Sequence, residues 1–235
     1  KPYPKSNILI NPKKNLDYSK YDYFCSGVLT YFLIDLYLKK NKIKYDFSDN
    51  LYLVLLSIVS DLMPLRKINR QIAKLVLNKI NLNKIYFFKK IFEIKNIKKP
   101  LEIDDFGFLF GPILNSAGRL DDPNIVVQLL TENNIKKINN ILEKLIMLNE
   151  KRKIIEENIL KKIKINKIKN NNIIILDNEI MNEGLIGIIA SNITNYFNKP
   201  SVIITKSRFE SSTFLAASIS CLKLCSGLPN LPPIT

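Results

Sequence analysis

Residues 106–122 read FGFLFGPILNSAGRLDD, and this stretch organises the reading of the whole chain. Gly107, Gly111 and Gly118, three of only seven glycines in the protein, fall within twelve residues. Glycine is needed where the backbone takes a positive φ or comes close to a partner. Beside them stand Pro112, Asn115 and Arg119, the last being one of five arginines. Asn and Arg supply donors for phosphate oxygens or base edges. On these residues alone, the stretch reads equally well as a tight helix-to-helix connection with a capping Asp.

Working outward, 235 residues suffice for one large domain or two smaller ones with a real core. No apolar run reaches membrane-spanning length, because Asp35 and Lys39–Lys40 interrupt the longest one. No export leader is visible, and Cys25, Cys221 and Cys225 form no even framework. With no histidine in the chain, the C-x-x-x-C pair cannot complete a zinc site, so a reduced, cytoplasmic protein is expected. The net charge of +15 is mostly lysine, in a background of Ile, Asn and Lys typical of AT-rich coding. Such lysines are ordinarily solvated, yet together they attract phosphate without regard to sequence. Arginines that survive this bias are more informative, because a planar guanidinium binds in a way a point charge cannot.

The apolar spacing predicts mixed architecture rich in helix. Ile8–Ile10 reads as a short buried strand and Tyr23–Lys40 as a helix, with Gly27 at a point of close packing. Asp49 is placed as the cap of a helix over Leu51–Val59. Pro64 opens another helix, with Ile68, Ile72, Leu75 and Val76 on its inner stripe, and residues 81–94 a further one. The glycine-rich stretch then interrupts, and Asp122-Pro123 caps the next helix. From Asn134 to about Lys167 no Gly or Pro occurs, which predicts one long helix of roughly 50 Å. Beyond it, 172–176 and 201–205 read as strands flanking a helix over 187–197, a second small α/β domain.

The 106–122 stretch resembles the F-x-x-x-P-R-L-N-A-A-G-R-L-D-D signature of the RecJ single-stranded DNA exonucleases, within the DHH phosphoesterase superfamily. Further segments resemble that family in the same order. LSIVSDLMPLRKINRQI at 56–72 is similar to L-G-T-V-A-D-V-V-P-L…N-R, and LNEKRKIIEENI at 148–159 to L-N-x-x-R-R-x-x-E. NEGLIGIIASNI at 182–193 is similar to H-E-G-V-I-G-I-V-A-S-R-L, and ILINPKKN at 8–15 to the I-V-N-P-N segment. The resemblance implies an α/β fold in three parts. Residues 1–133 would be the C-terminal part of a DHH-like catalytic domain and 134–169 a linking helix. Residues 170–235 would be a partial DHHA1-like nucleic-acid-binding domain with a divergent tail.

The implied chemistry is phosphodiester hydrolysis with two divalent cations, Mn2+ or Mg2+, that activate water and neutralise phosphate charge. Asp61 aligns with a metal-ligating aspartate of the family, and at the end of LVLLSIVS it is expected to be buried. A helix cap or a partner for Arg66 or Arg70 is the alternative role. Asn115 and Arg119 match the N-x-x-G-R core and would serve catalysis and strand binding. Arg70, Gly184, Gly187 and Ser218 complete the implied nucleic-acid contacts, with free amides at the two glycines receiving phosphate; close packing is their alternative.

Departures are equally specific. The Asp-His-His motif is absent, Pro112-Ile113 replaces proline-arginine, and Asn182 stands where the family has histidine. The likeness decays after Lys206, and the G-G-G-H element is absent. The chain is therefore expected to be a fragment without nuclease activity of its own. As a whole it reads as part of a 5′-to-3′ single-stranded DNA exonuclease of repair and recombination. That enzyme would be a monomer, with a single-strand-binding protein or a helicase as candidate partners. A catalytically inactive nucleic-acid-binding relative and a DHH oligoribonuclease or phosphatase are the other readings.

Overall fold

The apolar spacing after Tyr23 produces α1, Ser26–Lys40, in the computed structural model of the chain. The structure describes residues 6–12, 20–79, 85–163, 172–177, 182–206 and 215–220. Residues 13–15, 81–84, 164–167, Cys221, Cys225 and the terminal LPNLPPIT lie outside them, as do the expectations that fall there. Two compact units divide the chain, Lys1–Pro112 and Ile113–Thr235.

In the first unit, α1 is followed by a 3-10 turn at Ser48–Asn50 and by α2, Leu51–Ser60. Gly27 lets α1 come close to α2, since a Cβ there would collide with the Ser57 side chain. Asp49 does not cap α2: that position belongs to Asn50, with no side-chain bond. Asp46 holds the turn instead, accepting from the Ser48 amide at 2.8 Å and its hydroxyl at 3.0 Å. Helix α3, Lys67–Lys79, buries Asn69, Ile72, Ala73 and Val76. Leu75, expected inside, is exposed, because the buried stripe runs one position away and contains a polar residue. Helix α4, Tyr86–Ile94, contributes Phe87, Phe88, Ile91 and Phe92 to the core.

The glycine-rich stretch is not an interruption. A helical turn α5, Ile103–Asp105, continues through a π turn, Phe106–Phe110, into α6, Gly111–Leu120. No glycine among the described residues has a positive φ, and Gly107 and Gly111 serve proximity and not turning. A Cβ on Gly111 would lie 2.9 Å from the Phe106 carbonyl and 3.3 Å from Ser60 Oγ. The π turn buries Phe106 and Phe110 completely, and Phe110 stacks on Phe88 with centroids 3.9 Å apart. The local widening of the helix is of the kind that recurs at functional sites.

Ile8–Ile10 forms no strand. The segment is irregular, and Ile8 is 80% exposed. A lone strand needs a ladder partner for its amides and carbonyls, and none pairs with it among the described residues.

In the second unit, Asp122 accepts from the Asn124 amide at 2.9 Å and so caps α7, Asn124–Thr131, as its place before Pro123 suggests. Asn134 caps the long helix α8, Ile135–Ile163, by accepting from the Lys136 and Lys137 amides. Its 29 residues span about 44 Å. Leu142 and Leu145 are fully buried, and Ser116 of α6 donates to the Ile113 carbonyl at 2.6 Å and the Leu145 carbonyl at 3.2 Å. Farther along α8, Ile155, Ile159 and Leu160 pack on the core of a small α/β layer.

That layer holds β1, Ile174–Asp177; α9, Ile186–Phe197; β2, Ser201–Lys206; and β3, Leu215–Ser220. β1 and β2 are parallel, with Ile174 opposite Ser201, and β3 runs antiparallel on the other edge of β2. Ile174, Leu185, Ile189, Ile193 and Ile203 form the core. Asn198, in the left-handed region at φ 53°, ends α9. No described helix is long and apolar enough to cross a membrane.

Candidate nucleic-acid interface

Asp61 is the C-cap residue of α2, its amide bonded to the Ser57 carbonyl at 3.0 Å. Its side chain is exposed, against the expected burial. The helix ends one residue earlier, and Leu62, at φ 52°, turns the chain outward before the apolar face can cover the carboxylate. Nor does Asp61 pair with Arg66, whose Nη2 reaches Asp22 Oδ1 at 2.7 Å while the guanidinium lies over the Tyr23 ring.

Arg70 is exposed on α3 and forms no ion pair among the described residues. Its neighbour Asn69 is a residue that sequence reasoning misses. Asn69 is fully buried, and its Nδ2 donates to the Tyr23 carbonyl at 2.8 Å and the Pro64 carbonyl at 3.1 Å. It thereby ties the connection after Asp61 to the start of α1. The asparagine of the N-R pair is its only signal in the sequence.

In the second unit, Asn115 and Gly118 are exposed on α6, and Arg119, four residues beyond Asn115, is half-buried on the same helix face. Arg119 Nη1 donates to the Gly184 carbonyl at 2.9 Å. A Cβ on Gly184 would lie 2.5 Å from the Arg119 carbonyl oxygen and 2.8 Å from its Cα. Two motifs 65 residues apart are thus clasped, one by its arginine and the other by its glycine. The Gly184 amide donates to Asn182 Oδ1 at 2.9 Å. Gly187 is exposed in the first turn of α9, and Ser218 lies on β3 opposite Ile203.

Beside Arg119, α8 presents Asn149, Arg152 and Glu156, spaced to share one helical face. Arg152 Nη1 and Glu156 Oε1 are 3.2 Å apart and both side chains are 13% exposed. This is ion-pair distance without hydrogen-bond alignment, and Arg152 Nε, Glu156 Oε1 and Asn149 Oδ1 make no hydrogen bond among the described residues. Burial pushes the Glu156 carboxyl up, opposed by Arg152 and then Arg119. Burial, followed by repulsion from Arg152, pushes the Arg119 guanidinium down. Two cations against one carboxylate leave the cluster with a net positive charge. The L-N-x-x-R spacing carries this cluster in the sequence, although only Arg152 stands out there.

Among the described residues no three Cys, Asp or Glu come together to hold an ion, and Asp61 is a single open carboxylate. These residues do not make a two-cation centre.

The architecture is an α/β one, a helix-rich unit with a π turn in its glycine-rich stretch, followed by a long helix leading into a β-α-β layer. No family model matches the sequence. Among curated proteins, it is 32% identical over 170 residues to the single-stranded-DNA-specific exonuclease RecJ of Haemophilus influenzae, covering 67% of this chain and 29% of that protein. RecJ of Salmonella typhimurium is 28% identical over 218 residues, 85% of this chain and 38% of the relative. Among solved structures, RecJ of Thermus thermophilus in complex with Mn2+ superposes with a TM-score of 0.63 at 21% identity, over 72% of this chain and 26% of that one. A second RecJ, bound to manganese, gives 0.62 at 20% identity over 77% and 44%. The chain is RecJ-like, homologous to these exonucleases over about a third of the length of the curated relatives.

Proposed function

We propose that this chain is the part of a RecJ-like exonuclease that holds the strand, within an enzyme that hydrolyses single-stranded DNA from 5′ to 3′ in repair and recombination. The clasp between Arg119 and Gly184 carries the reading. It joins two segments that independently resemble the family, and it leaves the other guanidinium nitrogen atoms of Arg119 available for a phosphate. Asn115 on the same face, Arg70 in the first unit, and Gly187 and Ser218 near the α/β layer are the further proposed contacts. Residues 1–133 would belong to the catalytic domain, 134–169 to the linking helix and 170–235 to the DHHA1-like domain. The enzyme would be cytoplasmic and monomeric, working beside a single-strand-binding protein or a helicase.

The cation is Mn2+ in two of the solved RecJ structures and Mg2+ in another. Of its ligands this stretch offers Asp61, and the described residues add no cluster. The second reading is a nucleic-acid-binding relative that does not cleave, which the missing ligands would allow if this were the whole protein. A nuclease assay separates the two. The 235-residue chain should bind a single-stranded oligonucleotide and leave it intact with Mn2+. Joined to the parts of the Haemophilus influenzae relative that it does not span, it should degrade the oligonucleotide from the 5′ end. Intact oligonucleotide with the joined protein would leave the non-cleaving reading.

A further inference from the structure

Helix α3 differs from the other basic helices of this protein. Elsewhere exposed cations come with acids on the same helix: Lys39 with Asp35 at 2.7 Å, Lys90 with Glu93 at 3.5 Å, and Lys153 with Glu150 at 3.3 Å. The sequence of α3, KINRQIAKLVLNK, contains no acid at all. Lys67, Arg70 and Lys74, at i, i+3 and i+7, form one exposed ridge opposite the buried stripe of Ile72, Ala73 and Val76. None of the three makes an ion pair among the described residues. Two of them stand in the first turn, where the helix dipole disfavours positive charge, so helix stability does not explain their presence.

A second feature lies at the C-terminal end of α2, the end from which the chain leads into α3. The π turn packs against α2 through Gly107, whose Cβ would lie 3.1 Å from Val59, and Gly111, close to Ser60. At its crest Phe108 is 84% exposed, although its neighbours Phe106 and Phe110 are fully buried. A phenylalanine this exposed contributes little to packing. Binding of single strands without sequence preference combines a cationic track for the phosphates with aromatic faces on which bases stack.

We infer that Lys67, Arg70 and Lys74 are a phosphate track and Phe108 a base-stacking platform for a single-stranded nucleic acid passing the end of α2, where Asp61 stands. This rests on the strand-holding reading and extends it to Lys67, Lys74 and Phe108. The occupant is a polyanion with exposed aromatic bases. An acidic protein would satisfy the ridge but not the platform.

The two parts are separable by salt. Each phosphate contact contributes about 0.7 to the slope of log affinity against log salt for single strands. Binding of a fluorescent oligo-dT to the full chain should therefore lose about 2 from its slope in the triple variant Lys67→Gln, Arg70→Gln, Lys74→Gln. A control triple of exposed lysines, Lys40→Gln, Lys44→Gln and Lys98→Gln, should lose much less. Phe108→Ala should weaken binding on the order of tenfold with the slope unchanged, because stacking releases no counterions. Equal slope changes in the two triples, with wild-type binding intact, would overturn the track and leave the broader strand-holding reading standing. A Phe108→Ala chain that binds like wild type would overturn the platform. Competition by poly-aspartate as effective as that by oligo-dT would overturn the choice of occupant. No wild-type binding at low salt would remove both this inference and the reading beneath it.

Discussion

Arg119 and Gly184 hold each other: the guanidinium donates to the Gly184 carbonyl at 2.9 Å, and the Gly184 backbone lies where any side chain would strike the Arg119 carbonyl. The clasp fixes the end of α6 to the entry of α9. A Cβ at Gly184 would meet rigid backbone at 2.5 Å, not the movable tip of a side chain. Gly184→Ala should therefore destabilise the chain by about 1–3 kcal/mol, the usual cost of overpacking. Urea denaturation checks this, and an unchanged midpoint would mean that the close approach is not maintained in solution.

Arg119→Lys retains the charge but not the fork. The Gly184 carbonyl would lose a well-aligned donor, a loss of about 1–2 kcal/mol in a half-buried setting. If the free nitrogen atoms of Arg119 also hold a phosphate, cleavage by the joined enzyme should fall about tenfold, equivalent to roughly 1.4 kcal/mol. Turnover and melting temperature, measured side by side, distinguish a clasp alone from a clasp that also binds the strand.

Asn69 and Arg70 are adjacent in sequence and opposite in role. Asn69→Ala removes the donor shared by the Tyr23 and Pro64 carbonyls and should cost about 2–3 kcal/mol in a denaturant titration. Arg70→Ala, at an exposed position, should stay within about 0.5 kcal/mol of wild type while weakening strand binding. Reversal of the two effects would show that the N-R pair has been assigned the wrong way round.

Glu156 gives a pH dependence with a definite sign. Burial raises its carboxyl pKa in the folded chain, so the folded state takes up the proton more readily than the unfolded one. Its contribution is fully present below the ordinary glutamate range and fades as pH rises through the folded pKa. Relative to wild type, Glu156→Gln should thus gain stability between about pH 4 and pH 7. Denaturation midpoints of both proteins at the two pH values measure this. A relative loss over that interval would mean that Arg152 and Arg119 outweigh burial at this carboxylate.

Much of the fold is legible in the sequence because the signals are local. The unbroken apolar spacing of 134–167 announces α8, Asp122 before Pro123 announces a cap, and two β-branched runs around 187–197 announce the α/β layer. Glycines mislead, because their usual meaning is a turn and here they allow helices to touch. Asp61 misleads in another way: the apolar run before it suggests burial, but a positive-φ leucine turns the chain away at that point. The clasp and the Asn69 tie join residues 65 and 46 positions apart, and no local pattern encodes such pairings. Of the site, the sequence exposes the residue types, while their division into holding and binding roles needs coordinates.

The most direct test of a RecJ-like exonuclease is the time course of a 5′-labelled single-stranded oligonucleotide with Mn2+ and the joined enzyme, compared with its Asp61→Ala variant. The wild-type protein should release label in short products from the start of the reaction, and Asp61→Ala none, while still binding the strand within a few-fold. Cleavage that persists in Asp61→Ala, or that is absent from the wild-type joined enzyme, would contradict this reading.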